Sequence, residues 1–281
     1  MLDWLKLGRR KGHFARLDAA QLPEFAPGSV WLCGAGPGAP GLLSLLAYHA
    51  LGAADVIVHD ALVSRDILAL ARPEAEHIPA GKRAGQPSSR QKDITLKIIE
   101  LAWAGKRVLR LKGGDPYLFG RGGEEALALE RSGIHFRVVP GISAGLGGLA
   151  YAGIPATHRD TNHAVLFLTG HDVSGTMPGA VDWVAISRAA PVIVLFMGVS
   201  HLFAIAEKLI AAGRDREDRV AIVSNATLKN QSVIDCRLGE VGIRCAEADI
   251  PTPAVIVIGP VSQFRDRLDW YTPILRENGF G

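Results

Sequence analysis

Three loops of this sequence, each rich in glycine or close to a proline, carry a cationic side chain. "GKR" contributes Lys82, "GRGGEE" contributes Arg121, and "THRD" contributes Arg159. Arginine binds carboxylates and phosphates through paired hydrogen bonds, so several such loops favour a ligand with several acidic groups. Glu124 and Glu125 open a predicted helix, where acidic side chains also stabilise the N-terminus. Glu125 therefore has a helix-stabilising interpretation as well as a functional one.

A glycine-rich loop follows the first apolar strand, in "VWLCGAGPGAPGLL". Gly34, Gly36 and Ala39 fit the G-x-G-x-x-G/A pattern of dinucleotide sites. Pro37 and Pro40, however, lack the backbone N–H groups that hold a pyrophosphate. The loop therefore suits a ligand that approaches the backbone closely and carries no phosphate.

Three more loops follow strand ends, in "LKGGDPYLFGRGGEE", "VPGISAG" and "FMGVS". Ligands of open α/β sheets bind beyond the carboxyl ends of strands. Gly113 and Gly114 would allow close backbone approach, and Asp115 could accept a hydrogen bond from a ligand hydroxyl or amine. Met197, in "LFMG", is more typical of a core position, with ligand contact as the alternative. Together with the first loop, these segments predict a small-molecule site.

Composition excludes several functional classes. The chain has 281 residues, 48% of them hydrophobic, and a net charge of +3, which is too mild to indicate nucleic acid. Its three cysteines form no C-x-x-C pair, and its apolar runs are shorter than the roughly 18 residues of a membrane helix. We expect a cytoplasmic protein with structural thiols and no membrane partner. His158 and His163 lack zinc spacing, and nucleophile-elbow and Walker motifs are missing, so we expect no metal, hydrolase or nucleotide-triphosphatase site.

Short apolar strands alternate with helical patterns along the whole chain. The strands are "SVWLCG", "DVIVHD", "KRVLRL", "FRVVP", "HAVLFLTG", "PVIVLFMG", "RVAIVS" and "PAVIVIG". The helices are "LLSLLAYHALGAA", "SRQKDITLKIIELAWAG", "GGEEALALERSG" and "HLFAIAEKLIAAG". This alternation predicts an α/β fold with two α/β domains and mainly parallel sheets.

Glycine density near "VVPGISAGLGGLAYAGIP" and the restart of strands after it predict a domain boundary. We expect an N-terminal arm over residues 1–28, an N-terminal α/β domain over 29–140, a C-terminal α/β domain over 141–267 and a tail over 268–281. The arm is basic and amphipathic, and we expect it to pack on the surface.

Six stretches resemble the tetrapyrrole methylase family: "GAGPGAPGLLSL", "HDALVS", "GKRAGQPSSRQ", "VLRLKGGDPYLFGRGGEE", "VVPGISAG" and "AGIPATHRD". The long fourth motif is highly specific, whereas "GAGPG" is shared across the wider superfamily. The resemblance implies a homodimer of two-domain chains with S-adenosylmethionine (SAM) in the cleft between the domains. SAM has no phosphate, so Pro37 and Pro40 are compatible with it.

The resemblance also implies the cofactor contacts, motif by motif. One of them, Ala226 in "SNAT", stands where the family more often has glycine. The implied SAM-binding residues are Pro37, Gly113, Gly114, Asp115, Leu118, Ser143, Ala144, Met197, Ala226 and Ala254.

By the same resemblance, the substrate is uroporphyrinogen III, whose acetate and propionate groups match the cationic loops. Methylation of rings A and B would give precorrin-2 and S-adenosylhomocysteine (SAH). The implied substrate-binding residues are Glu124, Arg159 and His171, and the implied catalytic residues are Asp60, Lys82 and Arg121.

The base that removes the proton stays open between two residues. Arg121 is the first candidate for coupling substrate placement to proton removal, yet an arginine is ordinarily protonated. Asp60 is the more conventional base. Ala61 stands where many relatives have arginine, so one carboxylate contact is expected to be missing or to come from elsewhere.

Three other functions remain possible. Another SAM methylase would act on a later corrin precursor or on ribosomal RNA, and an RNA substrate predicts a steep salt dependence. A non-catalytic SAM-binding protein has no need for "GKR", "GRGGEE" and "HRD" together. A dinucleotide dehydrogenase, the weakest alternative, would bind NAD and not SAM.

Overall fold

The computed structural model describes residues 22–81, 91–172 and 175–280, which form two compact units. The N-terminal unit takes the chain up to Ala35 and then Pro40–Gly141. The C-terminal unit takes Gly36–Ala39 and Ile142–Gly281. The middle of the first glycine loop therefore packs with the C-terminal unit.

A parallel five-stranded sheet forms the centre of the N-terminal unit, in the order β3-β2-β4-β1-β5. Its strands are β1 (Val30–Gly34), β2 (Val56–His59), β3 (Glu76–Pro79), β4 (Val108–Lys112) and β5 (Phe136–Val139). β1, β2 and β4 are buried throughout, in keeping with the near-continuous apolar sequences of β1 and β2, whereas β4 buries two charged residues, Arg110 and Lys112. β3 is an edge strand of sequence "EHIP" with no apolar run, so the sequence pattern does not predict it.

The described part of this unit has helices α1 (Leu45–Ala53), α2 (Arg65–Leu68), α3 (Gln91–Trp103) and α4 (Gly122–Arg131). α1 begins at Ser44, whose hydroxyl accepts a hydrogen bond from the Ala47 N–H at 3.2 Å. α3 buries Ile94, Ile98 and Ala102, spaced four residues apart, against one face of the sheet. Burial of each isoleucine contributes about 1.5–3 kcal/mol.

The C-terminal unit is built on a second five-stranded sheet, in the order β6-β7-β10-β8-β9. Its strands are β6 (Val165–Thr169), β7 (Val192–Phe196), β8 (Arg219–Ser224), β9 (Ser232–Arg237) and β10 (Ala254–Ile258). β6 and β7 are parallel, whereas β10 is antiparallel to both β7 and β8, and β8 is antiparallel to β9. The expectation of mainly parallel sheets is therefore correct for the first sheet and wrong for the second.

The direction of these strands depends on their connections rather than on their apolar content. Only residues 225–231 join β8 to β9, which is too short for the crossover of a dozen or more residues that parallel strands need. β10 lies between β7 and β8, and its sequence "AVIVI" is as continuously apolar as that of a parallel strand. A continuous apolar run reports burial on both faces and carries no information on direction.

The described helices of the C-terminal unit are α5 (Ala144–Tyr151), α6 (Trp183–Ala189), α7 (Leu202–Ala211), α8 (Val241–Glu247), α9 (Arg265–Leu268) and α10 (Tyr271–Glu277). α7 is predicted from the sequence and confirmed. α5 is not predicted, because its sequence "AGLGGLAY" contains three glycines and glycine disfavours helix. Within the described residues, no helix has the length and apolar character to span a membrane.

The cysteines are free thiols in the interior or near it. Cys33 and Cys236 are buried and Cys245 is half-buried. Burial raises the pKa of the Cys33 thiol far above its usual range and raises the pKa of Cys236 to about 11. Both therefore stay protonated at neutral pH, as expected of structural thiols.

Candidate active site

The loop between β4 and α4 packs tightly against the ends of two other strands in the N-terminal unit. A Cβ on Gly34 would lie 2.5 Å from the carbonyl oxygen of Gly114, and a Cβ on Gly141 would collide with the same oxygen. Gly114 itself has a left-handed backbone, with φ of 68°. These positions therefore require glycine because the backbones of two loops approach each other closely, whether or not a ligand binds there.

Asp115 fastens this loop. Its Oδ1 accepts a hydrogen bond from the Tyr117 N–H at 2.8 Å, and its Oδ2 accepts one from the Gly141 N–H at 3.0 Å. Both carboxylate oxygens thus already bind backbone within the unit. Leu118, which follows in the same loop, is half-buried.

Four ionisable side chains form a buried cluster at the carboxyl ends of β2 and β4, which we call the charge quartet: Asp60, Arg110, Lys112 and Glu125. Arg110 donates from Nη2 to Asp60 Oδ1 and from Nε to Glu125 Oε1, the latter at 3.0 Å. Lys112 Nζ lies 3.3 Å from Glu125 Oε1 and 3.9 Å from Asp60 Oδ2. The quartet holds two cations and two carboxylates, so it is formally neutral.

Asp60 is more exposed to solvent than the other three members of the quartet. The side chains of Arg110, Lys112 and Glu125 are 1–3% exposed, whereas that of Asp60 is 26% exposed. Burial and the adjacent Arg110 lower the pKa of Lys112. Burial also disfavours the charged form of Arg110, but Asp60 and Glu125 outweigh it and raise the pKa of that guanidinium. Arg110 is therefore a permanent cation, and Asp60 is the member that solvent reaches.

Two glycines pack against the turn that follows Asp60. A Cβ on Gly81 would collide with the backbone nitrogen of Ala61, and a Cβ on Gly113 would lie 3.0 Å from the Cβ of Leu62. The turn that follows Asp60 therefore packs against two predicted ligand loops of the N-terminal unit. Lys82, predicted as catalytic, lies outside the described residues.

Arg121 and Glu124 form a surface pair at the start of α4. Nε of Arg121 lies 3.0 Å from Glu124 Oε1 and Nη2 lies 2.6 Å from Oε2, a bidentate arrangement. The pair is exposed, at 46% and 58%. Its hydrogen bonds raise the pKa of Arg121 and lower the pKa of Glu124. Arg121 is therefore held protonated.

In the C-terminal unit, the glycines of α5 bring several predicted SAM-binding residues together. A Cβ on Gly145 would lie 2.5 Å from the ring of Phe196, the residue before Met197. A Cβ on Gly147 would lie 3.1 Å from Cγ of Pro37, and one on Gly148 would lie 2.8 Å from the Cβ of Ala226. The helix itself begins at two further predicted residues, the N-cap Ser143 and then Ala144. The glycines that make α5 hard to predict from the sequence thus allow these residues to pack closely together.

Hydrogen bonds through Thr227 connect two of these segments. Its Oγ1 accepts a hydrogen bond from the Ala39 N–H at 3.0 Å, and its N–H donates to Gln231 Oε1 at 2.7 Å. The hydroxyl of Tyr271, on α10, donates to the carbonyl of Thr227 at 3.1 Å. The Asn225 N–H donates to the Pro253 carbonyl at 2.8 Å, which brings the segment before Ala254 alongside.

Arg159 and His171 lie on two other segments of the C-terminal unit. Arg159 is exposed on a turn held by the buried Asn162, whose amide accepts from the His158 N–H and donates to the Ala156 carbonyl. His171 is half-buried just after β6, with Nδ1 2.9 Å from the Asp172 carbonyl. The turn thus presents the guanidinium of Arg159 to solvent.

Left-handed backbone recurs at these positions. Arg121, Met197 and Thr227 have φ of 58°, 53° and 68°, and Asn225 has φ of 48°. Such a conformation is unfavourable for residues with a Cβ, and it clusters at ligand sites. It occurs here at two predicted site residues and on both sides of a third, Ala226.

Comparison with known proteins identifies the family. Residues 29–242 match the family described as Tetrapyrrole (Corrin/Porphyrin) Methylases. The chain belongs to this family. It is 56% identical over 251 residues to a uroporphyrinogen-III C-methyltransferase from Sinorhizobium sp., covering 89% of this chain and 90% of that protein.

Two further tetrapyrrole methylase relatives extend the comparison. A siroheme synthase from Zymomonas mobilis is 44% identical over 90% of this chain, and the chain spans about half (54%) of its length. The uroporphyrin-III C-methyl transferase of Thermus thermophilus, solved in complex with S-adenyl homocysteine, is 37% identical, with a TM-score of 0.73. The match covers 84% of this chain and 99% of that one.

Sequence reasoning missed several residues that contact the predicted site residues or hold their turns in place. Arg110 and Lys112 lie in the buried strand "VLRLK", and charged residues two apart in a buried strand point to one face and need partners. That alternation is the signal that could have found them. Asn162 and Thr227 bear no such mark, because their roles depend on backbone groups that the fold brings near.

Proposed function

We propose that this chain is a SAM-dependent C-methyltransferase that converts uroporphyrinogen III to precorrin-2 by two successive methylations. The observation that carries the proposal is the 56% identity to a relative named as uroporphyrinogen-III C-methyltransferase, over 90% of that relative's length. The Thermus thermophilus relative, solved with S-adenyl homocysteine, supports SAM as the methyl donor.

The residues present are suited to SAM. Pro37 and Pro40 leave the first glycine loop short of phosphate-binding N–H groups, and SAM carries no phosphate. Met197 is 42% exposed and has a strained backbone, which fits a ligand contact better than a core position. We assign SAM contacts to Pro37, Gly113, Gly114, Asp115, Leu118, Ser143, Ala144, Met197, Ala226 and Ala254.

The exposed cations are suited to a substrate with a rim of carboxylates. We assign Arg121, Arg159 and His171 to contacts with acetate and propionate groups, with Glu124 orienting Arg121 through its two hydrogen bonds. Because Glu124 raises the pKa of Arg121, this residue contributes charge and hydrogen bonds rather than basicity.

We assign proton removal to Asp60, the solvent-reached carboxylate of the charge quartet. SAM, when bound, supplies a methyl group on an electrophilic sulfonium. Transfer of that methyl to a pyrrole-ring carbon would break its bond to sulfur and leave SAH, and Asp60 would accept the proton that the macrocycle then loses. Alignment of the reactants supplies up to roughly 7–11 kcal/mol, and a general base contributes about 10²–10⁴-fold. The resemblance to the family implies Lys82 as the proton donor, and we assign it that role.

Two further proposals are that the protein acts as a homodimer, which the resemblance to the family implies, and that it lies in the cytoplasm, which its unpaired cysteines and short apolar runs favour. Light scattering of the purified protein tests the first. The product, precorrin-2, would be consumed by later tetrapyrrole enzymes of the sirohaem, cobalamin or haem d1 routes.

Incubation of the protein with SAM and anaerobically generated uroporphyrinogen III tests the activity. Mass spectrometry of the tetrapyrrole is expected to detect two added methyl groups. An unchanged mass, with SAM binding confirmed in the same sample, would refute uroporphyrinogen III as the substrate and direct attention to later corrin precursors.

A further inference from the structure

Arg110 occupies a position that the fold could fill with an apolar side chain. It lies in the middle of β4, between the apolar residues Leu109 and Leu111, and its side chain is 2% exposed. Burial of a guanidinium is costly unless its donors are satisfied. Those donors bind Asp60, Glu125 and the Val58 carbonyl, the last at 3.3 Å.

The two carboxylate oxygens of Asp60 have different partners. Oδ1 accepts the hydrogen bond from Nη2 of Arg110. Oδ2 lies 3.9 Å from Lys112 Nζ, beyond hydrogen-bond distance. One oxygen is therefore fixed by a buried cation, and among the residues that the structure describes the other faces only a distant ammonium.

Glu125 in turn fixes Arg110. Its Oε1 accepts from Nε of Arg110, from Lys112 and from the amide of Gln91, the last at 2.7 Å. Since Glu125 is 1% exposed, it cannot rotate away into solvent. The chain of contacts runs from α4 through Arg110 to the one partly exposed carboxylate of the quartet.

We propose that Arg110 is a positioning residue for Asp60. It binds Oδ1, sets the orientation of the carboxylate and leaves Oδ2 as the oxygen that receives the proton from the macrocycle, while Glu125 holds Arg110 in place. This inference rests on the proposed function of Asp60 as the base.

The alternative is that Arg110 has a purely structural role. A variant that keeps the buried charges balanced distinguishes a structural role from a positioning role. Removal of Arg110 alone leaves two carboxylates facing one lysine, which destabilises the fold whatever the role. The paired variant Arg110→Met with Glu125→Leu removes one cation and one anion, so Lys112 and Asp60 still balance. A structural role predicts that this pair restores activity along with stability, whereas a positioning role predicts that activity stays low.

The test measures kcat and both KM values for the paired variant, for Asp60→Asn and for their combination. The proposal predicts a fall in kcat of about 10- to 100-fold for the paired variant, because small misplacements of reacting groups cost that much. The KM for SAM should stay within about twofold. In the Asp60→Asn background, the paired change should lower kcat no further, because the residue through which it acts is already lost.

Two controls keep the result interpretable. Arg214, in the C-terminal unit, is 5% exposed and pairs with Asp218, which is 26% exposed, so it matches Arg110 and Asp60 in burial. Arg214→Met should lower the unfolding temperature and leave kcat unchanged. Arg110→Lys keeps the buried charge and loses the two-armed guanidinium, so it should fold and still show the fall in kcat; it decides the matter if the paired variant does not fold.

Any of four outcomes would overturn the inference: wild-type kcat in the paired variant, wild-type kcat in Arg110→Lys, an equal fall in Arg214→Met, or an undiminished effect in the Asp60→Asn background. Failure of the role proposed for Asp60 is distinguishable, because Asp60→Asn would then itself retain wild-type kcat, and failure of the proposed activity would leave the wild type itself without methylation.

Discussion

At the scale of single residues, the two candidates for the base have opposite surroundings. Arg121 is an exposed guanidinium held by both oxygens of Glu124, which raises its pKa and keeps its proton. Asp60 has one oxygen bound by the permanent cation Arg110 and remains 26% exposed. The structure therefore favours Asp60 for proton transfer and Arg121 for recognition of a carboxylate, a choice that the sequence left open.

Arg121→Ala should retain the fold and SAM binding, because an exposed ion pair contributes only about 0–1 kcal/mol. Loss of a charge-assisted hydrogen bond to substrate should lower kcat/KM for uroporphyrinogen III about 10- to 100-fold. Steady-state kinetics with thermal unfolding as a control would check this. An unchanged kcat/KM would remove Arg121 from the site.

At the scale of elements, α5 organises the C-terminal unit. A Cβ on Gly145 or Gly148 would overlap Phe196 or Ala226, and one on Gly147 would lie in tight contact with Pro37. Replacement of a helical glycine by alanine ordinarily stabilises a helix by about 1 kcal/mol. Here the cost of overlap, typically about 1–3 kcal/mol in a packed interior, should exceed that gain.

Gly148→Ala should therefore destabilise the protein and weaken SAH binding, because its Cβ would lie 2.8 Å from that of Ala226. Adding Ala226→Gly removes the opposing methyl and should recover both properties. Calorimetric titration with SAH and thermal unfolding measure the two effects.

Gly52→Ala, on the exposed side of α1 with no atom near the added Cβ, serves as the control and should stabilise slightly. SAH affinity in Gly148→Ala equal to wild type would contradict the role given to α5.

At the scale of the whole molecule, the sequence predicts the strands and helices whose apolar residues mark them as buried. It does not predict features that depend on how the strands are connected and packed. The eight apolar strands and the helices α1, α3, α4 and α7 follow from periodicity. The antiparallel course of β10, the exposed edge strand β3 and the glycine-rich α5 do not, because direction, edge pairing and close packing leave no apolar pattern. The close backbone contacts of the glycine loops were predictable from the glycines themselves, whereas the hydrogen bonds of Asn162 and Thr227 to distant backbone groups were not.

Ligand binding should stabilise the molecule selectively. SAH at about 100 times its Kd should add about 2.7 kcal/mol to stability, and NAD at the same concentration should add none. Differential scanning calorimetry compares them directly. Stabilisation by NAD and not by SAH would revive the dinucleotide interpretation of the first glycine loop.

The most direct test compares the wild type with Asp60→Asn in a single assay with SAM and uroporphyrinogen III, counting transferred methyl groups by mass spectrometry. We predict two methyl groups for the wild type, and a rate at least about 10²-fold lower for Asp60→Asn with unchanged SAH affinity. Equal rates for the two proteins, or no methylation by a wild type that binds SAM, would contradict the account.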